Sequence, residues 1–343
     1  MADMTKVKAC VIGAGVMGMN HIRILSDLEG VELVGVSDVS PENLDKAKRY
    51  CKSTYGDYRE MIRKEHPDMA CIVVPTSLHY EVAEFLIRNN VNVLIEKPIT
   101  EKIDDAKKII ALAKEFNVKA TVGHIERFNP AIQELKKEIS KGKLGRPFKI
   151  DVHRVGPFPK RIRDVGVVID LAVHDIDIIR YILGDEVERV YAEVERNINT
   201  TNEDILSAVI RMKNKTICHL NVNWLTPKKV RTLHVVGEKG MFVADYLERS
   251  LCLYENDFIN TESFNSQKGT FEINEGKMIK YNTKDKDLLT EELKDFVSAI
   301  ADRKDPLVSL DDGLKAIEIA HCILKSAERK EAVTCSKEYP DYK

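Results

Sequence analysis

The sequence predicts an α/β fold with two domains, a doubly wound parallel sheet followed by a domain built on an antiparallel sheet. Three observations lead to this prediction. Apolar strands alternate with helices through roughly the first 123 residues, as they do in βαβ units. A glycine-rich turn, GAGVMG at 13–18, joins the first strand to the first helix. Beyond Gly123, alternating strands follow one another with short polar breaks, which is typical of antiparallel sheets.

The first domain is predicted over residues 1–123, with right-handed crossovers between parallel strands. One of the helices between the strands begins with Ser40 and Pro41, a favourable pair for an N-cap and a first helical position. The predicted strands are KVKACVI at 6–12, VELVGVS at 31–37, MACIVVP at 69–75, VNVLI at 91–95 and KATVGH at 119–124.

The second domain is predicted over residues 124–343. Tight polar breaks such as MKNKT and GEKG separate its alternating segments, so we expect an antiparallel meander. Residues 257–289 are polar and weakly patterned, and we interpret them as a surface excursion. The other predicted elements are a helix at 128–140, a strand at 147–155, a long helix at 167–183, and two closing helices near 289–302 and 311–329.

Composition limits the classes of function. A length of 343 residues suggests two domains, and 43% apolar with 31% charged residues describes a globular protein. The net charge of −2 gives no support for broad binding to nucleic acid or to an anionic membrane. We expect no membrane span, because there is no run of about eighteen apolar residues. Glycines interrupt the N-terminal apolar run, which argues against a signal peptide.

The cysteines bear on the compartment and on metals. Seven cysteines occur, and no two of them have a CxxC spacing. An odd number without a pairing pattern predicts a reducing, cytoplasmic environment. The same absence argues against a structural zinc site, so we expect no metal.

The glycine-rich turn is a candidate dinucleotide site. Gly13, Gly15 and Gly18 form GxGxxG between a strand and a helix, with Val16 and Met17 inside the motif. This context is the one that the motif requires, because the helix N-terminus attracts a pyrophosphate. The alternative is a tight turn without a ligand.

Asp38 ends the second strand. A carboxylate at this point accepts hydrogen bonds from a ribose diol and repels a 2′-phosphate. Because no Arg or Lys follows before Lys46, the sequence favours NAD over NADP. The alternative is that Asp38 caps the loop.

Lys97 is the first candidate catalytic residue. It lies in Glu96-Lys97-Pro98, between the apolar strand VNVLI and a helix. Open α/β sheets bind their ligands at the carboxyl ends of their strands. An ordinary surface charge is the alternative interpretation.

The long helix of the second domain carries a second group of candidates. Asp170, His174 and Asp177 have the spacing i, i+4, i+7, so an α-helix presents them on one face. Titratable groups are costly to bury among apolar neighbours without a task, and a His beside a carboxylate is suited to proton transfer near neutral pH. A structural His174 is the alternative, and Asp177 fits the role of orienting His174.

The segment HRVGPFPKRIRD before this helix is rich in cations. We interpret it as a loop that binds an anionic part of the substrate, such as a diphosphate, because guanidinium groups match phosphate geometry. The alternative is a solvated basic loop. The candidate substrate-binding cations are Arg154, Lys160, Arg161 and Arg163.

Together, GAGVMG at 13–18, EKP at 96–98 and DLAVHDID at 170–177 resemble the Gfo/Idh/MocA family of sugar and cyclitol oxidoreductases. The resemblance covers nearly the whole chain. It implies an N-terminal Rossmann domain and a second domain with an open, mostly antiparallel sheet. It also implies that Lys97, Asp170 and His174 meet at the nicotinamide ring.

The resemblance extends to the cofactor and the substrate. VVPTSLH at 73–79 is similar to the family segment that lines the cofactor site, which implies contacts from Pro75, Thr76 and His79, together with Glu96 and Lys97. GHIERFNPAI at 123–132 is similar to the group of the family that oxidises UDP-N-acetylglucosamine at C3.

The sequence therefore predicts a cytoplasmic NAD-dependent dehydrogenase of a nucleotide sugar. His174 is expected to take the hydroxyl proton, Lys97 to stabilise the developing negative charge, and Asp170 to orient the pair, while Asp170 and His174 also contact the substrate. The alternatives are a free-sugar or inositol dehydrogenase with the same residues, and a noncatalytic NAD-binding sensor. An exposed sheet face in the second domain suits a homodimer or homotetramer.

Overall fold

A computed structural model describes residues 6–159, 165–198, 201–256 and 275–339. The chain forms two compact units. The first consists of residues 1–128 together with 286–318, and the second of residues 129–285 together with 319–343.

The first unit contains a six-stranded sheet in which every strand pair is parallel. The strand order β3-β2-β1-β4-β5-β6 places β1 at the centre, and it confirms the predicted doubly wound sheet. The strands are β1 (Val7–Ile12), β2 (Val31–Ser37), β3 (Thr54–Tyr55), β4 (Met69–Ile72), β5 (Asn92–Ile95) and β6 (Ala120–Val122). The helices between them are α1 (Val16–Asp27), α2 (Pro41–Ala47), α3 (Tyr58–Glu65), α4 (His79–Arg88) and α5 (Ile103–Glu115).

Local sequence signals set the starts of two of these helices. Ser40 is the N-cap of α2, and its side chain accepts a hydrogen bond from the Asn43 N–H while Pro41 occupies the first turn. Asp57 caps α3 by accepting from the Arg59 N–H. A polar N-cap satisfies a backbone donor that the helix itself leaves open.

The domain boundary predicted at residue 124 is incomplete, because a C-terminal segment returns to the first unit. This segment contains helix α8 (Leu288–Ala301) and the start of the helix that runs from Leu310 to Arg329. Leu289, Leu293 and Phe296 of α8 are buried in one apolar cluster with the side chains of β1 and α1. The periodicity of the first 123 residues does not identify a packing partner so distant in the sequence, so the predicted boundary did not include it.

The second unit contains a nine-stranded sheet in the order β14-β13-β12-β11-β7-β10-β9-β8-β15. It is mostly antiparallel, as predicted, but it is not a simple meander, because β7 lies between β11 and β10 and runs parallel to β10. Its strands are β7 (Pro147–Val155), β8 (Val187–Glu195), β9 (Ile205–Met212), β10 (Ile217–Asn223), β11 (Val230–Gly237), β12 (Gly240–Asp245), β13 (Ser250–Asn256), β14 (Glu275–Tyr281) and β15 (Val333–Thr334).

The surface excursion predicted over residues 257–289 is wrong for its later part. Residues 275–281 form β14, which pairs antiparallel with β13 through partners such as Leu251 and Tyr281, and α8 begins at Leu288. Residues 257–274 lie outside the described residues.

Helices cover one face of the second sheet. Side chains of α6 (Pro130–Ser140), of α7 (Val173–Leu183) and of the second half of α9 (Leu310–Arg329) share an apolar core with the sheet. A short helix, α10 (Cys335–Glu338), follows β15. The opposite face carries exposed apolar side chains, including Tyr191, Val209 and Tyr254. Among the described residues, no helix is long and apolar enough to cross a membrane.

We expect Leu293→Ala to destabilise the protein by about 2–5 kcal/mol, because it leaves a cavity in a closely packed core. Leu293 is fully buried in the cluster that joins α8 to the first sheet. Lys294→Ala is the matched control, since its side chain is about half exposed, and its effect should stay within about 0.5 kcal/mol. Chemical denaturation measures both, and equal stabilities would argue against the packing of α8 on the first unit.

Candidate active site

The glycine-rich turn follows β1 and is shaped by close backbone contacts. Gly13 has a φ of +94°, and a Cβ added there would lie 2.3 Å from the carbonyl oxygen of Val73. A Cβ at Gly18 would lie 1.9 Å from the carbonyl oxygen of Gly13. Only glycine is compatible with such approaches. Gly15 differs, because no atom lies within 4 Å of its added Cβ, which leaves open space beside the turn.

This open space lies at the start of α1. Gly15 is the N-cap of α1 and provides no side-chain cap, and the first turn holds no acidic residue. Val16 is exposed, and Met17 packs against the apolar core. The N–H groups and the positive end of the helix dipole therefore suit an anion. The turn fits the pyrophosphate of a dinucleotide.

Asp38 follows β2 and already has backbone partners. Its Oδ2 accepts from the Ala14 N–H at 2.6 Å, and its Oδ1 accepts from the Ser40 N–H at 2.7 Å. The carboxylate thus caps the loop and also fixes the glycine-rich turn. Because an ionised carboxylate has about four acceptor sites, these contacts leave room for a ribose hydroxyl. That contact remains a prediction.

The segment after β4 includes Pro75 and a 3₁₀ turn that begins at Thr76. The side chain of His79 is 1% exposed. Its Nδ1 lies 2.9 Å from the Pro98 carbonyl oxygen, and its Nε2 lies 3.0 Å from that of Val74. Burial lowers the pKa of His79, although these carbonyls oppose the effect. We therefore correct the expected cofactor contact of the His79 side chain. It ties two backbone segments together.

Glu96 is turned away from solvent and fixes the start of the EKP segment. Its Oε1 lies 2.9 Å from Nε2 of His21, and its Oε2 accepts from the Lys97 N–H at 3.1 Å. Burial opposes ionisation of Glu96, but the His21 hydrogen bond and the charge of Lys97 outweigh it and lower the pKa. His21, on α1, was not predicted as a site residue. Lys97 itself is half-buried.

Glu292 is a buried acid near Glu96. It lies on α8, is 2% exposed, and both of its carboxyl oxygens have no hydrogen-bond partner among the described residues. Burial first, and then the Glu96 and Asp295 carboxylates, raise its pKa well above the ordinary value. Burial thus opposes the charged form of Glu292, whereas hydrogen bonding favours the charged form of Glu96.

In the second unit, the helix predicted over 167–183 is divided. Val168–Ala172 form a π-helical turn, and α7 begins at Val173. The predicted α-helical spacing between Asp170 and His174 does not apply, because Asp170 lies in the wider turn. Such π turns occur often at functional sites.

An unpredicted residue, Glu203, fixes the start of this helix. Its Oε1 accepts from the Val168 N–H at 3.1 Å, and its backbone carbonyl accepts from the Val167 N–H at 3.0 Å. A Cβ on Gly166 would lie only 2.1 Å from the Glu203 carboxyl carbon. The absence of a side chain at Gly166 thus allows the carboxylate to reach the helix.

The acids and the histidine of the helix differ in access to solvent. Asp170 and His174 are half-buried, whereas Asp175 and Asp177 are 0% and 1% exposed. Asp170 and His174 are therefore the members of this group that a substrate is able to reach. Asp177 is confined to the interior, which agrees with an orienting role and not with substrate contact.

Arg154 has a different role from the one predicted. It belongs to β7, not to a loop, and is 1% exposed. Its Nε donates to Oδ2 of Asp175 at 2.7 Å, and its guanidinium lies 5.1 Å from the ring centre of Tyr246. Because Asp175 offsets its charge, Arg154 holds the helix to the sheet and is not a mobile phosphate ligand. Lys160, Arg161 and Arg163 lie outside the described residues.

A cavity of about 330 Å³ lies in the second unit. Phe158 and Trp224 form an edge-to-face aromatic pair in its wall, with ring centres 5.8 Å apart. The residues that line it include Arg154, Phe158, Asp170, Trp224, Lys229 and Arg231. It thus brings the acid of the π turn together with two cations, Lys229 and Arg231, that were not predicted. Among the described residues, no group of three or more His, Cys, Asp or Glu side chains is suited to a metal ion.

Two family models match this chain, and they agree with the fold and the site. Residues 7–124 match the oxidoreductase family with an NAD-binding Rossmann fold, and residues 132–243 match the Gfo/Idh/MocA C-terminal domain. The first of these matches identifies the class of protein as an NAD-binding oxidoreductase. The chain belongs to the Gfo/Idh/MocA family.

Two of the curated relatives of the chain are dehydrogenases of different substrates. Myo-inositol 2-dehydrogenase of Thermotoga maritima is 26% identical and covers 94% of this chain and 97% of its own length. UDP-N-acetylglucosamine 3-dehydrogenase of Acidithiobacillus ferrooxidans is 28% identical over 73% of this chain and 78% of its own length. The chain is therefore an NAD-dependent dehydrogenase from a family that acts on sugars and polyols.

Solved structures resemble the whole chain. The UDP-N-acetylglucosamine 3-dehydrogenase GnnA of Acidithiobacillus ferrooxidans has a TM-score of 0.83 at 25% identity, covering 95% of this chain and 99% of that one. A levoglucosan dehydrogenase in complex with NADH and levoglucosan has a TM-score of 0.84 at 20% identity, covering 96% and 99%. At 20% identity this second likeness shows the fold alone.

We expect Asp38→Ala to narrow the preference for NAD over NADP by roughly tenfold, which corresponds to about 1.4 kcal/mol. The variant lacks the carboxylate that repels a 2′-phosphate. Both affinities should fall because the Ala14 contact is lost, so the ratio is the informative quantity. Asp45→Ala, at an exposed acid of α2, is the control. Tighter binding of NADP than of NAD by the unmodified protein would refute the assignment of Asp38 as the residue that selects NAD.

We expect Glu292→Gln to gain stability relative to the unmodified protein as the pH rises. The raised pKa means that the folded state holds the proton more tightly. The stability that the bound proton of Glu292 gives to the folded state is therefore fully present below the ordinary glutamate pKa of about 4.3. It is lost as the pH rises through the pKa of Glu292 in the folded state. Glutamine has no proton to lose.

Thermal unfolding of both proteins at several pH values, from roughly 4 to 8, measures this difference. Glu291→Gln is the matched control, because the hydrogen bond with Lys286 lowers the pKa of Glu291 and gives the opposite pH dependence. A difference between Glu292→Gln and the unmodified protein that stays constant with pH would show that folding does not raise the pKa of Glu292.

Proposed function

We propose that this protein oxidises the C3 hydroxyl of UDP-N-acetylglucosamine to a 3-keto sugar with NAD. The observation that carries the proposal is the cavity that combines Asp170 with Lys229 and Arg231. An acid suits a sugar hydroxyl, and two cations suit a diphosphate. The similarity to UDP-N-acetylglucosamine 3-dehydrogenase over most of the chain supports the same substrate.

His174 is the proposed general base. It is half-buried on the helix that begins beside the cavity, so a substrate is able to reach it while bulk water is partly excluded. A histidine accepts a proton near neutral pH. In the proposed reaction the hydroxyl O–H bond breaks and its proton passes to His174. NAD, when bound, accepts the hydride that leaves C3.

Lys97 and Asp170 complete the proposed set of catalytic residues. The ammonium of Lys97 stabilises the negative charge that develops on the C3 oxygen as the proton leaves. Asp170 accepts a hydrogen bond from the sugar and so orients the hydroxyl for His174. Glu96 and Asp175, the direct chain neighbours of Lys97 and His174, are fixed in buried polar contacts, which supports a defined position for each catalytic backbone.

A free-sugar or inositol dehydrogenase is the second candidate. The observation in its favour is the Thermotoga maritima myo-inositol 2-dehydrogenase, which is similar to nearly the whole chain. An uncharged polyol uses the same base and the same cofactor. It has no anionic group for Lys229 and Arg231, so the cations of the cavity distinguish the two candidates.

We further propose a homodimer or homotetramer in the cytoplasm. The exposed apolar side chains on the uncovered face of the second sheet support self-association, because monomeric proteins rarely expose large contiguous apolar patches.

We expect Lys97→Ala and His174→Ala to lower turnover roughly 10²-fold or more, the scale for groups that assist proton transfer. NAD binding should survive His174→Ala. Two controls match the lost side chains. They are Lys102→Ala, at an exposed lysine before α5, and His219→Ala, at a half-exposed histidine of β10. Turnover is followed by NADH absorbance with UDP-N-acetylglucosamine, myo-inositol and free N-acetylglucosamine as substrates.

Two results would contradict the proposal. Near-normal turnover by a folded Lys97 or His174 variant would remove that residue from the mechanism. Efficient oxidation of myo-inositol or free N-acetylglucosamine, without activity on UDP sugars, would favour the second candidate.

A further inference from the structure

An acidic residue lies on the apolar face of α8, the helix that returns to the first unit. Glu292 comes one residue before Leu293 and three after Leu289, so the helix presents all three within one broad stripe. Leu289 and Leu293 are buried in the apolar cluster with α1 and β1, and Glu292 is 2% exposed. Its position on α8 therefore directs the carboxyl group into the core and not toward solvent.

The face of the first sheet that α8 covers ends at Glu96. The Leu94 side chain of β5 belongs to the same apolar cluster as Leu293, and because side chains alternate along a strand, Glu96 continues the series of Leu94. Gly123 follows β6, and a Cβ there would lie 3.1 Å from Oε2 of Glu96. The absence of a side chain at Gly123 thus leaves room for the Glu96 carboxylate on this face, where its charge acts on Glu292.

Glu96 and Glu292 differ in their hydrogen-bond partners. Glu96 contacts Nε2 of His21 and accepts from the Lys97 N–H. Both carboxyl oxygens of Glu292, in contrast, have no hydrogen-bond partner among the described residues. A buried carboxylate without a partner is costly, and two neighbouring carboxylates repel each other. Both effects favour a protonated Glu292, which leaves Glu96 as the one carboxylate of the pair.

The other titratable and charged groups around Glu292 come from every element packed against it. They are His21 of α1, Cys71 of β4, Glu96 and Lys97 after β5, Glu291 and Asp295 of α8, and Glu126 and Arg127 of the 3₁₀ turn Ile125–Phe128. Arg127 is paired with Asp312 at 2.9 Å, and the charge of Lys97 lowers the pKa of Glu96. The two cations of this set therefore act on other acids.

We propose that Glu292 is a positioning residue of the reaction, which acts on Lys97 through Glu96. As a neutral acid it leaves a single carboxylate to hold His21 and the Lys97 N–H. Once Glu292 loses its proton, a second negative charge beside Glu96 opposes the negative charge that develops on the sugar oxygen. The inference rests on the proposed role of Lys97, but it applies to any sugar or polyol hydroxyl.

The direction of the pH dependence follows from the burial of Glu292. Burial first, and then the carboxylates of Glu96 and Asp295, raise its pKa well above the ordinary value, and a buried glutamate is able to reach a pKa of about 8–9. The proposed base His174 acts without its proton, so turnover should first rise with pH. It should then fall as Glu292 ionises, so that Glu292 sets an alkaline limit to turnover.

The test is the pH profile of kcat at saturating NAD, from about pH 6 to about pH 9, with UDP-N-acetylglucosamine and myo-inositol as substrates. Glu292→Gln keeps the shape of the side chain without its proton, and Glu292→Leu suits the apolar neighbours if a buried amide destabilises the fold. We expect kcat of both variants, relative to the unmodified protein, to rise roughly tenfold across this range. Glu292→Asp should keep the alkaline fall. Glu291→Gln, at the neighbouring half-buried acid, is the matched control and should keep the profile of the unmodified protein.

Infrared spectroscopy gives a second measurement that does not depend on turnover. A protonated carboxyl group absorbs at a higher frequency than a carboxylate. The difference spectrum between the unmodified protein and Glu292→Gln, taken near about pH 6, should therefore contain the C=O band of one protonated carboxyl group. We expect this band to disappear over the same pH range in which kcat falls.

The outcomes distinguish this inference from the proposed function. If the pH profiles of the unmodified protein and both neutral variants coincide, or if the infrared band is absent, the role of Glu292 is wrong. Loss of turnover in Lys97→Ala would still support the proposed function in that case. The expected change of profile with myo-inositol, in a protein inactive on UDP-N-acetylglucosamine, would support the role of Glu292 and overturn the proposed substrate. Near-normal turnover of folded Lys97→Ala would overturn both.

Discussion

The buried ion pair between Arg154 and Asp175 is the constraint on which the second unit depends. Arg154 lies on β7, the strand between β10 and β11, and Asp175 lies on α7 directly after His174. Both side chains are withdrawn from solvent, so removing one partner leaves an uncompensated buried charge that costs about 3–5 kcal/mol. The pair therefore fixes the helix that carries His174 relative to the wall of the cavity.

The first unit uses a comparable arrangement. Glu96 directly precedes Lys97 and contacts His21 on α1, as Asp175 follows His174 and contacts Arg154. In each unit an acid next to the proposed catalytic residue binds a basic side chain from another element, and Asp175 is fully buried whereas the side chain of Glu96 is 13% exposed. The acid holds the backbone, and the catalytic side chain remains half-buried and accessible. Catalysis benefits from such positioning, since misplacement by about 1 Å costs roughly 10²-fold in rate.

Local patterns in the sequence predicted much of the fold. The parallel sheet, the glycine-rich turn and the capped start of α2 all depend on residues close together in the chain, and the structure confirms them. The pairing of β7 with β10, the return of α8 to the first unit and the strand at 275–281 depend on distant partners. Periodicity identifies which face of an element is apolar, but not which element covers that face.

The dependence on distant partners also explains why the cations predicted to bind the substrate differ from those that line the cavity. The cations near 154–163 were grouped because they are close in sequence, yet Arg154 is opposed by Asp175, a residue of the next helix. Lys229, directly before β11, and Arg231, on β11, follow Arg154 by more than seventy residues. They line the same cavity because β11 pairs with β7. Strand pairing thus brings into the cavity two cations that lie far from Arg154 in the sequence.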